Sequence, residues 1–204
     1  MLPAAKSDRQ LSYRENRRRI VWNISLQLAE EGSTMMEQEP MSPQDSLTHV
    51  REDGSAHMVD VSSKAPTPRT ARAGSIVVST EEVTRLLRET SLAKGDALAA
   101  ARLAGIMAAK RTGELIPLCH PLALDAVTVE FVFEGTALQV TSRASLTGRT
   151  GVEMEAMTAT SIALLTIYDM AKAIDKGMMI EEVLLLEKTG GKSGTWRAAE
   201  SDGA

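Results

Sequence analysis

Between Asp96 and Arg111 the chain reads DALAAARLAGIMAAKR, and its small residues limit what can be built around it. Ala97, Ala101, Gly105 and Ala109 fall at successive i+4 steps, with Ala100, Ala104 and Ala108 beside them. One face of the predicted helix therefore carries almost no side-chain volume. Such a face lets a second element approach very closely, either within the chain or in a partner subunit.

Composition sharpens that constraint. Aromatic residues make up 3% of the 204-residue chain, so alanine, leucine and methionine have to build the core. The same scarcity argues against the stacking platforms that bind single-stranded nucleic acid. Net charge is −4, so any anion site has to be a local cluster of bases, with no nucleic acid or membrane partner implied. Cys119 is the one cysteine, which excludes an intrachain disulfide and a Cys-based zinc site and fits a reducing, cytoplasmic setting. No apolar run approaches the roughly 20 residues of a membrane helix.

Residues 1–46 read as a flexible extension. They carry a basic run at Arg17–Arg19 followed by acids, Ser, Pro and Met, and a short basic helix is conceivable over Arg17–Leu28. Asp8, Glu15, Glu30 and Glu31 argue against a transit peptide, which is poor in acids. Residues 47–204 read as one globular domain.

Within that domain, Met58–Val61 and Gly74–Ser79 are expected as strands, separated by a loop with Pro66 and Pro68. Thr80 followed by Glu81 and Glu82 opens a helix. Val127, Val129, Phe131 and Phe133 alternate with polar residues, and Leu138, Val140 and Ser142 alternate again after Gly135, which predicts a hairpin. A long helix is expected over about Val152–Ile174, with Val152, Ala156, Ala159, Ala163, Ile167, Met170 and Ile174 as its apolar stripe. Met179–Glu187 is expected as a last strand. The order ββααββαβ implies an α+β domain, a mostly antiparallel sheet with helices on one face.

The segment KTGGKSG, Lys188–Gly194, resembles the end of a Walker phosphate loop. That loop needs glycine where this chain has Leu186, and a helix directly after Lys-Ser, where Gly194, Thr195 and Trp196 follow. The Walker reading fails on both counts. A glycine-rich turn with two lysines can still hold phosphate, and a solvated turn accounts for the same residues.

Asp169 and Lys172 stand three apart on the long helix and share a face, with Glu155, Thr158, Ile162 and Leu165 in the same row. A surface ion pair is one reading. A carboxylate holding a lysine for proton transfer, its pKa tuned by burial, is the other. Cys119 and His120 lie on a loop bracketed by Pro117 and Pro121; sequence neighbours rarely form a nucleophile–base dyad, and His120 is either structural or presented to a pocket. Lys64 and Arg69 on the Pro loop, with Lys94 before the Ala-rich helix, suit a polyphosphate or an ordinary surface. His49 and His57 have no spacing partner.

Taken together, LTHVREDGSAHMVDVSSKAPTPRTA, KGDALAAARLAGIMAAKRTGELIPLCHPL, TGRTGVEMEAMTATSIALLTIYDMAKAIDK and LLLEKTGGKSG resemble the MoaC family, from about Leu47 to Trp196. That resemblance implies a cyclic pyranopterin monophosphate synthase activity of molybdenum cofactor biosynthesis. The implied substrate is (8S)-3′,8-cyclo-7,8-dihydroguanosine 5′-triphosphate, made from GTP by a radical SAM partner, and the implied products are cyclic pyranopterin monophosphate and pyrophosphate.

It further implies a ferredoxin-like α+β fold and a hexamer built as a trimer of dimers, with sites at the dimer interface, and so gives the Ala/Gly face a role in subunit packing. No resident cofactor or metal is implied, although Mg2+ can accompany the triphosphate. By motif position, Asp169 and Lys172 match the catalytic pair and Lys94 a further lysine for turnover. Leu118, Cys119, His120, Met154 and Glu155 match substrate-contacting segments; Lys64, Arg69, Lys188 and Lys192 match basic positions suited to the triphosphate. A non-catalytic nucleotide-binding assembly module is the rival reading of the same bases.

Overall fold

The computed structural model describes residues 53–198. The boundary expected at 46/47 and the basic helix expected over 17–28 lie outside the described residues.

Strand β1 (Thr67–Val78) is the centre of the sheet. It is followed by helices α1 (Glu81–Arg88), α2 (Ala97–Ala109) and the single turn α3 (Thr112–Leu115). The hairpin β2 (Ala126–Glu134) and β3 (Ala137–Gly148) comes next, then the long helix α4 (Glu153–Ala171) and three short strands, β4 (Met179–Ile180), β5 (Leu184–Thr189) and β6 (Trp196–Arg197). The strands lie in the order β2-β3-β1-β5-β6, with β4 beside β1, and every pairing is antiparallel. Without β4 and β6, and counting α1–α3 as one helical crossover, the succession is β-α-β-β-α-β, the order of elements in a ferredoxin-like unit.

The register explains the layering. Ala71, Ala73 and Val77 oppose Ala144, Ser142 and Leu138 across β1–β3, and Val129 and Phe131 oppose Ser142 and Val140 across β2–β3. This face packs under α2 and α4. The opposite face carries Arg72, Arg143, Thr128 and Glu130, as the period-2 pattern of the hairpin demands.

Two helices begin as their sequences predict. Val83 N–H donates to Thr80 Oγ1 at 3.4 Å, and Ala99 N–H donates to Asp96 Oδ1 at 3.0 Å. The Ala/Gly face of α2 is spent inside the chain, against α4, rather than between subunits. Ala97, Ala101 and Ala109 are buried, and a Cβ placed on Gly105 would lie 2.8 Å from the Ala159 carbonyl oxygen. Helix α4 is pinned to the sheet by a buried polar contact: Ser142 Oγ donates to the Ala156 carbonyl at 2.6 Å and lies 2.7 Å from Thr160 Oγ1.

Three expectations are corrected. Met58–Val61 forms no strand, because Ser62 N–H donates to Asp60 Oδ1 at 2.8 Å and Lys64 N–H to the Val61 carbonyl at 3.1 Å, which turns the chain. Strand β1 begins at Thr67 and runs through Pro68, which sits at the strand start where β5 has not yet begun pairing. The last predicted strand is split: β4 and β5 are separated at residues 181–183, and a bulge lies between Arg72 and Ala73.

Candidate active site

Two clusters of functional side chains lie at the two ends of α4. At its C-terminal end, Lys172 Nζ lies 2.6 Å from Asp169 Oδ1, one helical turn away. Lys94, on the loop that caps α2, donates from Nζ to Asp169 Oδ2 at 2.8 Å and to the Asp169 carbonyl at 2.9 Å. That carbonyl belongs to the last turn of α4, where the helix dipole favours a cation. The sequence places Asp169 and Lys172 together; the fold adds Lys94 to them.

The Asp169 side chain is 55% exposed, so burial does not tune it. Its carboxyl is held down to about 2 by hydrogen bonds from Lys172 and then Lys94, reinforced by their charges. Asp169 in turn pushes the Lys172 ammonium up. The cluster is a carboxylate that holds two lysine Nζ donors in place beside each other, an arrangement that fixes their positions toward a bound anion or carbonyl.

At the N-terminal end of α4, Lys188 Nζ lies 3.1 Å from Glu153 Oε1. Lys188 is on β5, paired with Ala71 on one side and Trp196 on the other. KTGGKSG is therefore a hairpin connection between β5 and β6 rather than a free tail. Gly190 and Gly191 adopt φ of +93° and +76° and lie against the Pro68 carbonyl and the Arg69 guanidinium, where any side chain would collide. Arg69 Nε is buried without a hydrogen-bond partner. A guanidinium with an unsatisfied donor, an ammonium and two left-handed glycines make this corner suited to an anion.

The same first turn of α4 holds Met154, which is exposed, and Glu155, which is 3% exposed. Burial pushes the Glu155 carboxyl up, with Glu153 adding to the effect. Glu155 acts electrostatically on Cys119, whose thiol is pushed up mainly by burial. A raised thiol is not a neutral-pH nucleophile. His120 Nε2 lies 3.0 Å from the Val59 carbonyl, which ties the Pro-bracketed loop to the segment before β1. Leu118 is half-buried in the same loop, whereas Lys64 and Lys192 are exposed and join neither cluster through a contact of their side chains.

Glu153 escapes a reading of the sequence, since an acid in the first turn of a helix is the ordinary helix-start signal. Val59 escapes it because only a backbone atom is used. Among the described residues no group of three His, Cys, Asp or Glu gathers as a metal site, and no helix is long and apolar enough to cross a membrane.

The α+β fold thus carries a Lys-Asp-Lys cluster at one end of its long helix and a basic, glycine-lined corner suited to an anion at the other. The MoaC family profile matches residues 58–191, and the chain belongs to that family. A protein of Novosphingobium aromaticivorans is 61% identical over 154 residues, covering 76% of this chain and 98% of its own length. One from Streptomyces coelicolor is 55% identical over 154 residues, covering 76% and 91%. Both are named cyclic pyranopterin monophosphate synthase. A Mycobacterium tuberculosis protein named cyclic pyranopterin monophosphate synthase 1 is 53% identical over 157 residues, covering 76% and 92%.

Proposed function

We propose that this chain is a cyclic pyranopterin monophosphate synthase, a lyase of molybdenum cofactor biosynthesis. It rearranges (8S)-3′,8-cyclo-7,8-dihydroguanosine 5′-triphosphate to cyclic pyranopterin monophosphate and releases pyrophosphate. The observation that carries this reading, beside the names of the relatives, is the joining of Lys94 and Lys172 through Asp169.

Opening the purine five-membered ring and closing a pyran require protons at several atoms. Lys94 and Lys172 are the donors, and Asp169, ionised, orients them. Attack of a sugar hydroxyl on the innermost phosphorus expels pyrophosphate, and the departing charge needs fixed cations. Lys188 and Arg69 supply them; Lys64, before β1, and Lys192, between β5 and β6, are exposed and add to the basic surface. Leu118, Cys119, His120, Met154 and Glu155 line the pterin side. The reading calls for no resident cofactor, and Mg2+ can accompany the triphosphate without being required.

Glu153 and Asp169 are sixteen residues apart on one straight helix, a separation of about 24 Å. A nucleotide held at one cluster has to span most of that length to touch the other. The separation supports a site completed by a second copy of the chain, in keeping with the hexamer of three dimers that the family resemblance implies. The exposed Leu103, Met107 and Leu165 on α2 and α4 suit such a contact. The cytoplasm, where a radical SAM GTP cyclase would supply the substrate, is the setting.

Incubating the purified chain with the cyclo-dihydro triphosphate tests the activity. A fluorescent pterin oxidation product is expected; binding without any pterin would instead identify a nucleotide-binding assembly module.

A further inference from the structure

The basic corner at the start of α4 contains a carboxylate, a group that repels phosphate. Lys188 Nζ and Glu153 Oε1 are 3.1 Å apart, and the two side chains are 33% and 28% exposed. We infer that Glu153 is a built-in competitor for Lys188, a counter-ion that weakens the hold of this corner on the pyrophosphate product. The inference rests on the reading of Lys188 as a phosphate-binding residue.

Both partners are held by rigid elements. Lys188 is fixed in the sheet between Ala71 and Trp196, and Glu153 is the first residue of α4. The Glu153 carboxylate folds back over Gly151, so a Cβ there would have to push this side chain aside. Glu187, the other nearby acid, plays no such part. As the strand neighbour of Lys188 it points to the opposite sheet face, where Arg197 Nη2 pairs with it at 3.2 Å.

The pair is sheltered enough for its charges to matter and open enough for an incoming anion to replace one partner. A triphosphate, with more charge and more acceptor oxygens than one carboxylate, displaces Glu153 from Lys188. Once the bond to the innermost phosphorus is broken, the pyrophosphate is no longer tethered to the pterin. Glu153 then recaptures the ammonium and product leaves. A neutral amide of the same shape would accept the same hydrogen bond from Lys188 but could not neutralise it.

Calorimetric binding of inorganic pyrophosphate to the full chain tests this with four proteins: unmodified, Glu153→Gln, Lys188→Ala and the double variant. Glu153→Gln should bind pyrophosphate about three- to tenfold more tightly, the span expected for removing one partly screened ion pair. Lys188→Ala should bind it more weakly, and adding Glu153→Gln to Lys188→Ala should change affinity by less than about twofold, because the cation it releases is gone. Glu153→Asp, whose shorter side chain draws back from Lys188, should tighten binding in the same direction and serves if the amide variant does not fold. Unchanged or weaker binding by Glu153→Gln, with Lys188→Ala still weakened, overturns the role of Glu153 alone. Pyrophosphate affinity unaffected by Lys188→Ala overturns the phosphate reading of Lys188, and the inference with it.

Discussion

Lys94 Nζ donates to both the carboxylate and the backbone carbonyl of Asp169, at 2.8 and 2.9 Å, across seventy-five positions of sequence. The two contacts bind the loop before α2 to the last turn of α4, and with Lys172 they hold the Asp169 carboxyl down to about 2. A depressed carboxyl contributes stability above its unfolded value of 3.8 and loses it as pH falls through about 2. The Asp169 carboxyl should therefore stay ionised from neutral pH down to about pH 4. Carbon-detected NMR titration of the Asp169 carboxyl should show this, and Lys172→Ala should move the midpoint upward more than Lys94→Ala. A midpoint near 3.8 in the unmodified protein would contradict the clamp.

Glu155 carries the opposite shift. Its carboxyl is raised by burial, so the ionised form is the disfavoured one. A raised carboxyl contributes stability below its unfolded pKa and loses it as pH rises through the folded value. Glu155→Gln should stabilise the protein at pH 7 by on the order of 1 kcal/mol, with the gain vanishing at low pH, while impairing turnover. Urea denaturation at two pH values reads the stability, and the pterin assay reads the activity.

Gly105 meets α4 at backbone distance, 2.8 Å from Ala159 O to a Cβ built at that position. Replacing it by alanine gains about 1 kcal/mol of helix propensity but drives a methyl into a backbone carbonyl. Gly105→Ala should be destabilised by a net of about 1–2 kcal/mol, and Gly105→Val by more, in urea denaturation. Stabilisation by the alanine would mean that α2 and α4 are not packed this closely.

These residues also show what the sequence makes legible. The Ala/Gly spacing, the Thr80 cap and the alternation of Val127–Phe133 are local, and each survives in the fold. What fails is decided at a distance. Pro68 reads as a loop residue until its place at the start of β1, beside a β5 not yet paired, is seen. The Ala/Gly face does not reveal whether it meets α4 or another subunit. Asp169 and Lys172 announce their pairing by spacing, whereas Lys94 joins them only through tertiary structure, and Glu153 looks like any acid at a helix start. The expectation that burial tunes Asp169 fails for the same reason: the lysines that do so come from two different segments.

The separation of the two clusters along α4 leads to a complementation experiment. Asp169→Ala and Lys188→Ala variants, each impaired alone, should recover part of the activity when mixed under conditions that allow subunit exchange, since one composite site then regains an intact set of residues. Equal impairment before and after exchange would place both clusters in the service of one chain.

The most direct measurement is turnover of the cyclo-dihydro triphosphate by Asp169→Asn. This variant keeps the size of the side chain and removes the charge that clamps Lys94 and Lys172. The unmodified chain should yield one pyrophosphate per pterin formed. Asp169→Asn should melt within a few degrees of it, as a half-exposed cluster allows, and still bind the substrate, yet turn over about 10²- to 10⁴-fold more slowly. Pterin formation at the unmodified rate would contradict the account.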